Sequence, residues 1–270
     1  MEKIKFAHLS DPHILVDHAK SSLDYVFNKM QNPNVSLKET LKEIGRRDLD
    51  FIVISGDLVH EGETEDYECL KRILAESRLS IPVFLALGNH DRKDKFREAF
   101  LNEDSMERYY YSREIAGLQI VVLDSAENGS GRGVIDERQL DWLDDCLAKP
   151  REKGSVIVSH HPLFWQDPLL AIENSDRLVK IIKGSNVRGF FCGHIHKSVT
   201  AVYDGIFQST AESTAFGFDY NDRAALVSER WGFDLCVIGK RDVSISHEIY
   251  RQKRKTIAKI PMDTLKAILE

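Results

Sequence analysis

Residues 190–198 read FFCGHIHKS: an apolar run, Phe190-Phe191-Cys192, stops at Gly193, and His194 and His196 follow with one residue between them. One such pair proves little, because many histidines are structural. Its meaning depends on whether the rest of the chain supplies the partners that such a pair would need.

The same pattern recurs along the chain. Ile4 to Leu9 runs into Ser10-Asp11-Pro12-His13, and Phe51 to Ile54 into Ser55-Gly56-Asp57. Val83 to Leu87 runs into Gly88-Asn89-His90-Asp91, and Val156 to Val158 into Ser159-His160-His161-Pro162. A sixth run, Ile120 to Leu123, ends at Asp124 and Ser125. Helical patterns lie between these strands. Ser36 with Glu39 reads as a capping box ahead of Leu37, Leu41 and Ile44. Thr64 to Ser77 and Asp136 to Leu147 each place apolar residues on one face, and Leu178, Ile181 and Ile182 precede Gly184 as a C-cap. Strand alternating with helix predicts an α/β fold with a largely buried sheet.

After His196 the texture becomes β-rich. Val202 to Phe207, Ala224 to Val227, Phe233 to Ile238 and Val243 to Ile249 read as strands, with turns expected at Asp204-Gly205, Trp231-Gly232 and Gly239-Lys240. A second sheet packed on the first, with helices outside, is the economical arrangement. Pro261 is expected to open a short terminal helix. Residues 14–35 carry the least pattern and read as a surface loop or lid.

The chain has 270 residues, 42% of them apolar, enough for a large core. Its net charge of −6 argues against a general nucleic-acid binder. A phosphate substrate is still compatible with it, because a bound dication dominates the local field. Cys69, Cys146, Cys192 and Cys236 form no C-x-x-C pair and read as reduced thiols. No h-region and no spanning stretch is visible, so a cytoplasmic protein without membrane contact is expected.

In open α/β sheets, ligands bind beyond the carboxyl ends of the strands. Five strands deliver Asp11, His13, Asp57, Asn89, His90, His160, His194 and His196 there. Imidazole, carboxylate and one amide oxygen, with no thiolate, suit Mn, Fe or Zn. The set is too large for one ion and suits two that share a carboxylate. Gly56, Gly88 and Gly193 each precede a candidate ligand, where the backbone must turn sharply and stay clear of the site.

The ordered string Asp11-x-His13, Gly56-Asp57, Gly88-Asn89-His90-Asp91, His160 and Gly193-His194-x-His196 resembles the calcineurin-like metallophosphoesterase superfamily. It is most similar to the class III cyclic-nucleotide phosphodiesterase and glycerophosphodiesterase branch. The resemblance implies a four-layer αββα sandwich, two mixed β-sheets flanked by helices, in one domain spanning residues 1–270. It implies that Asp11, His13, Asp57 and His196 hold one ion and that Asp57, Asn89, His160 and His194 hold a second. His160 is preferred to His161 because the family's ligand stands two residues before a proline, here Pro162. His90 would act at the leaving group, with Asp91 orienting it, and a hydroxide bridging the metals would attack phosphorus in line. The segment after His196 would cap the site or make homo-oligomer contacts.

Other residues carry plainer expectations. His8 reads as a packed histidine, His60 as a pocket residue or a surface turn, and His161 as a support or a loop residue. His18 and His247 read as solvated. Arg92 and Lys93 suit a charged helix start better than a phosphate guide, Arg132 is ambiguous, and Asp124 reads as a structural hydrogen-bonding group. Tyr109-Tyr110-Tyr111 reads as sheet packing. The function expected is hydrolysis of a small phosphodiester, with a 3',5'-cyclic nucleotide as the first substrate to test. A phosphomonoesterase or a non-catalytic scaffold on the same fold is the alternative.

Overall fold

A computed structural model describes residues 3–17, 21, 23–127, 129–221, 223–250 and 255–269. Three of the motif-bearing strands, β1 (Ile4–Leu9), β2 (Phe51–Ser55) and β3 (Val83–Ala86), lie side by side in parallel. Two later strands, β12 (Trp231–Ile238) and β13 (Val243–Tyr250), add antiparallel to the β1 edge, giving the order β13-β12-β1-β2-β3. The second sheet contains β4 (Tyr111–Ile115), β5 (Leu118–Val122), β6 (Ser155–Val158), β7 (Val187–Cys192), β8 (Val199–Tyr203) and β9 (Ile206–Thr210). Its order is β4-β5-β6-β7-β9-β8, parallel from β5 to β9 with antiparallel edges.

The five motif strands are therefore divided between two sheets, and both sheets recruit strands from beyond His196. The boundary expected at His196 is not a boundary between sheets. Continuous burial of β2, β5 and β6 explains their apolar runs Phe51–Ile54, Ile120–Val122 and Val156–Val158, since both faces are covered. Between the sheets, Phe6 stacks on Phe51 at 4.7 Å and meets Phe191 edge-on at 5.2 Å.

Helices cover the outer faces. Over the first sheet lie α2 (Pro33–Ile44), α3 (Thr64–Glu76) and α4 (Lys93–Leu101), while α5 (Glu137–Leu147) and α6 (Asp176–Lys183) cover the second. The start of α2 differs from expectation. Asn32 caps it by accepting from the Asn34 amide, and Pro33 occupies the first turn, so Ser36 is an interior, buried residue. The Asp136 carboxylate caps α5 by accepting from Gln139 N.

A third, smaller antiparallel sheet has the order β10 (Gly217–Asn221), β11 (Ala224–Ser228) and β14 (Thr256–Pro261), followed by α7 (Met262–Leu269). β10 and β14 were not anticipated. Trp231-Gly232 is not a turn but the start of β12, opposite Ile249 and Tyr250. Asp204-Gly205 does turn between β8 and β9, with both residues at positive φ. The described part of residues 14–35 is not merely surface loop. It holds α1 (Asp24–Phe27) and buries Leu15, Val26 and Phe27 against the third sheet. All four cysteines are free thiols.

Candidate metal centre and active site

The parallel strands leave their carboxyl ends adjacent, and backbone hydrogen bonds tie the loops beyond them. Asp11 N donates to Gly56 O at 3.1 Å, and His13 N to Asp57 O at 3.0 Å. Gly193 N donates to His160 O at 2.9 Å, joining the loops that follow β6 and β7. Asp11, His13, Asp57, His194 and His196 all adopt left-handed backbone, with φ between 45° and 68°. Such strain in non-glycine residues clusters at functional sites, where the surroundings enforce it. At Gly56, φ is +93° and an added Cβ would lie 2.5 Å from His160 Nδ1. Gly193 needs clearance rather than a special turn, since a Cβ there would collide with Ser10 Oγ.

Two groups of atoms converge. In the first, His13 Nε2 lies 3.1 Å from His196 Nε2, and His196 Nε2 lies 3.3 Å from Asp11 Oδ1. In the second, His160 Nε2 lies 3.0 Å from Asn89 Oδ1 and 3.2 Å from His194 Nδ1. Asp57 Oδ2 stands between them, 3.7 Å from His13 Nε2 and 3.4 Å from His160 Nε2. Its other oxygen accepts from His90 N at 2.9 Å, which fixes the carboxylate's orientation. The structure thus brings all seven candidate ligands together.

These residues fit a pair of cations by their own chemistry. His13 and His196 point ring nitrogens at each other, an arrangement that a shared cation would relieve, and His194 Nε2 is buried with no hydrogen-bond partner. Burial lowers His13 and His194 well below the ordinary imidazole pKa, so both are neutral and able to donate a lone pair. Burial also works to lower His160, but the nearby Asp57 carboxylate outweighs it and raises this imidazole to about 9. The ligand atoms of Asp11, His13, Asp57 and His196 all lie within 4.8 Å of one another. Nitrogen and oxygen donors of this kind suit Mn, Fe or Zn.

Behind the first group runs a hydrogen-bonded chain. His8 Nε2 meets Ser55 Oγ at 2.9 Å, Ser55 Oγ meets Ser10 Oγ at 2.9 Å, and Ser10 Oγ donates to Asp11. Burial depresses His8 to about 3, so it is a neutral packed histidine, as its position on the strand suggests.

His90 borders the cavity and donates through Nδ1 to His60 O at 2.9 Å. The expectation that Asp91 orients this ring is corrected by the geometry. The Asp91 carboxylate instead accepts from Gly88 N, Leu58 N, Val59 N and Tyr67 Oη, clasping two loops together. His60 is buried, 2% exposed, and is no surface turn. His161 is also buried, its nitrogens taken by Ser125 Oγ and Gly131 O, which makes it a support rather than a ligand.

Lys93 starts α4, is buried, and donates to Ala126 O, so it guides no phosphate. Arg92 pairs with Glu63 and Asp94 at the surface, and Arg132 pairs with Glu173. Asp124 is structural, accepting from Tyr109 N and Ala126 N. The tyrosines pack as expected, with Tyr110 against Trp142. His247 is not simply solvated, because its Nδ1 lies 2.7 Å from Asp234 Oδ1. His18 lies outside the described residues.

The sequence reading missed the roof of the site. Above the polar floor, a cavity of about 140 Å³ is lined by Leu23, Leu170, Phe216, Phe218, Tyr220 and Ile260. Phe216 stacks on His13 at 5.3 Å, and its carbonyl accepts from His196 Nδ1 at 2.8 Å. Below β10, the buried Arg230 guanidinium pairs with Glu212 at 3.0 Å and Asp219 at 3.1 Å and donates to Phe218 O. Burial raises the Glu212 carboxyl to about 7 against the pull of Arg230. The only advance signal was the aromatic alternation Phe216-x-Phe218-x-Tyr220.

The calcineurin-like phosphoesterase family model matches residues 4–198. A probable cyclic nucleotide phosphodiesterase of Rhodococcus erythropolis is 34% identical over 90% of this chain and 81% of its own length. A cAMP/cGMP dual specificity phosphodiesterase of Mycobacterium tuberculosis is 31% identical over 85% of this chain and 73% of its own. Among solved structures, a dimetal phosphatase of Danio rerio superposes with a TM-score of 0.63, covering 96% of this chain and 98% of that one. At 14% identity, that likeness speaks for the fold alone. A family model spanning most of the chain, over strand ends that carry this buried His/Asp floor, makes the protein a member of the calcineurin-like phosphoesterase family and a metal-dependent phosphoesterase.

Proposed function

We propose that this chain hydrolyses a small phosphodiester, with Asp11, His13, Asp57 and His196 holding one metal ion and Asp57, Asn89, His160 and His194 a second. The observation that carries the reading is a floor of cation-binding groups beneath an apolar roof, with no Lys or Arg among the described residues lining the cavity. A phosphomonoester is a dianion near neutral pH and gains from protein cations around its outer oxygens. A diester carries one charge, and its second ester group can occupy apolar space. When bound, the metal pair supplies a nucleophile at neutral pH and neutralises phosphoryl charge.

The protein's own groups do the rest. Asp57 is held by His90 N so that one oxygen faces both halves of the floor. His90 lines the cavity and has Nδ1 bound to His60 O, so Nε2 is the nitrogen left to pass a proton to the departing alkoxide. Phe216, Phe218 and the other roof residues give the reacting phosphate an apolar wall on one side. Names of the similar proteins, one a cAMP/cGMP dual specificity phosphodiesterase and another a glycerophosphodiester phosphodiesterase of Enterobacter lignolyticus, support the diester reading. The aromatic roof favours a ring-bearing substrate such as a 3',5'-cyclic nucleotide over a glycerol ester. A cavity of about 140 Å³ is below the ~300–1,000 Å³ of typical small-molecule sites, so the roof must yield to admit one.

The test is a kinetic panel of cyclic AMP, bis-p-nitrophenyl phosphate and p-nitrophenyl phosphate, with Mn, Fe or Zn added to the purified protein. Metal-dependent turnover of diesters, with kcat/KM about tenfold or more above that for the monoester, is expected. Preference for the monoester would replace this reading with a phosphomonoesterase. Metal-free protein with no turnover of any ester would favour a scaffold.

A further inference from the structure

His60 belongs to neither half of the metal floor, yet it touches two residues on which the proposed chemistry depends. Its Nδ1 lies 3.1 Å from His13 Nδ1, and its carbonyl accepts from His90 Nδ1 at 2.9 Å. Its ring stacks on that of His90 at 4.8 Å with an interplanar angle of 21°. On another side, Phe27 meets it edge-on at 5.0 Å, and its backbone N–H donates to Ile14 O at 3.1 Å. Packed in this way, the ring is poorly placed to reorient.

The proton positions follow from hydrogen-bond logic. His13 turns Nε2 toward His196 and Asp57, so offering a lone pair there requires that Nδ1 carry the proton. A contact of 3.1 Å between two ring nitrogens needs one donor and one acceptor, so His60 Nδ1 must be bare. The His60 proton then sits on Nε2, which faces the Glu61 carboxylate at 3.5 Å. The same residue, through its carbonyl, accepts a hydrogen bond from the Nδ1–H of His90 and leaves His90 Nε2 for the cavity. Partners of this kind hold a ligating histidine in one tautomer and orientation.

We propose that His60 is a positioning residue that sets the tautomer and ring orientation of His13 and His90 together. The inference rests on the metal reading above for the role of His13. His60 couples the metal floor to the leaving-group side of the site through a single buried residue.

Three measurements test this. In zinc-loaded, ¹⁵N-histidine-labelled protein, NMR should find His13 and His90 protonated on Nδ1 and His60 on Nε2. His60→Phe keeps a ring against His90 but removes the acceptor, and should weaken metal binding by about 10–100-fold in chelator competition. His60→Asn places an amide oxygen near the lost Nδ1 and should stay within about threefold of the wild type, far from the loss expected without an acceptor. Wild-type metal affinity in His60→Phe, equal losses in both variants, or a His13 proton on Nε2 would each overturn the proposal. If His60→Phe fails to fold, the wild-type tautomers and His60→Asn still decide. Because the readouts are tautomer and metal affinity, they stand apart from substrate choice. A protein that binds metal in this pattern but cleaves no diester would refute the phosphodiesterase reading and leave the role of His60 intact.

Discussion

The floor and the roof of the cavity sit a few ångströms apart and are built in opposite ways. The floor is polar, five of its residues hold left-handed backbone, and each side chain follows closely on the tip of a parallel strand. The roof is apolar and comes from an unrelated small sheet, the segment near Leu170 and the region around Leu23. Floor residues are constrained by the chemistry of cations, which admits few side-chain types. Roof residues need only be apolar and well placed, a requirement that many sequences satisfy. The floor should therefore set whether a phosphoester is cleaved, and the roof which one.

The sharpest way to break this division is Asp57→Asn. On the proposed reading both metals lose their shared carboxylate, and kcat/KM should fall about 10⁴-fold, the equivalent of roughly 5 kcal/mol. Elemental analysis of the purified variant should show the metal content falling with it. Retained metal and activity would remove the floor from the chemistry altogether.

His90→Ala separates binding from catalysis within the floor. Metal content should be unchanged while kcat drops about 10²–10⁴-fold, as expected for loss of a general acid. Full activity in the metallated variant would eliminate that role.

Arg230→Met tests what supports the roof. It leaves the buried Glu212 carboxyl, already raised to about 7, to escape the loss of its partner by protonating, so the cost should be about 1–3 kcal/mol, that of an unpaired buried polar group rather than of a stranded charge. Urea denaturation should read most of that loss. A smaller change would mean that the Arg230 network does not hold β10 over the site.

Phe218→Ala acts on the roof itself. Here kcat/KM for cyclic AMP should fall about tenfold, while methyl p-nitrophenyl phosphate, with its smaller second ester group, changes little. Equal losses for both substrates would erase the distinction between roof and floor.

The smallest effect lies far from both. The hydrogen bond that the His247 ring donates to Asp234 raises this half-buried imidazole above its usual pKa, although burial also raises the Asp234 carboxyl. A raised imidazole contributes stability that is fully present below about 6.5 and fades as pH rises through its folded value. His247→Gln should thus destabilise by less than about 1 kcal/mol at pH 6 and by less still at pH 8.5, read by thermal melting. The converse trend would reverse the assigned direction.

Strand tips made the floor readable in the sequence, because packing alone does not call for glycine, aspartate and histidine at the end of one apolar run after another. Helix faces in α3 and α5 were readable from their apolar spacing. Asp91 was misjudged because adjacency to His90 in sequence does not say where a carboxylate points, and four donors from the folded chain claim it. Sequence alone leaves His60 open between a pocket residue and a surface turn, because the burial that decides for the pocket is supplied by Phe27 and by its ring neighbours. The assignment of strands to sheets was not readable either. β12 pairs with β1 across more than two hundred residues and carries β13 on its far edge, and local pattern contains no information about such pairing.

What the amino-acid order determined by itself was the kind of chemistry, because cation-binding side chains at strand ends announce themselves through residue type and spacing. What only the tertiary structure decided was the shape above them. Packing of distant apolar segments set that shape, and hydrophobic burial, being non-directional, leaves no signature of which segment will meet which.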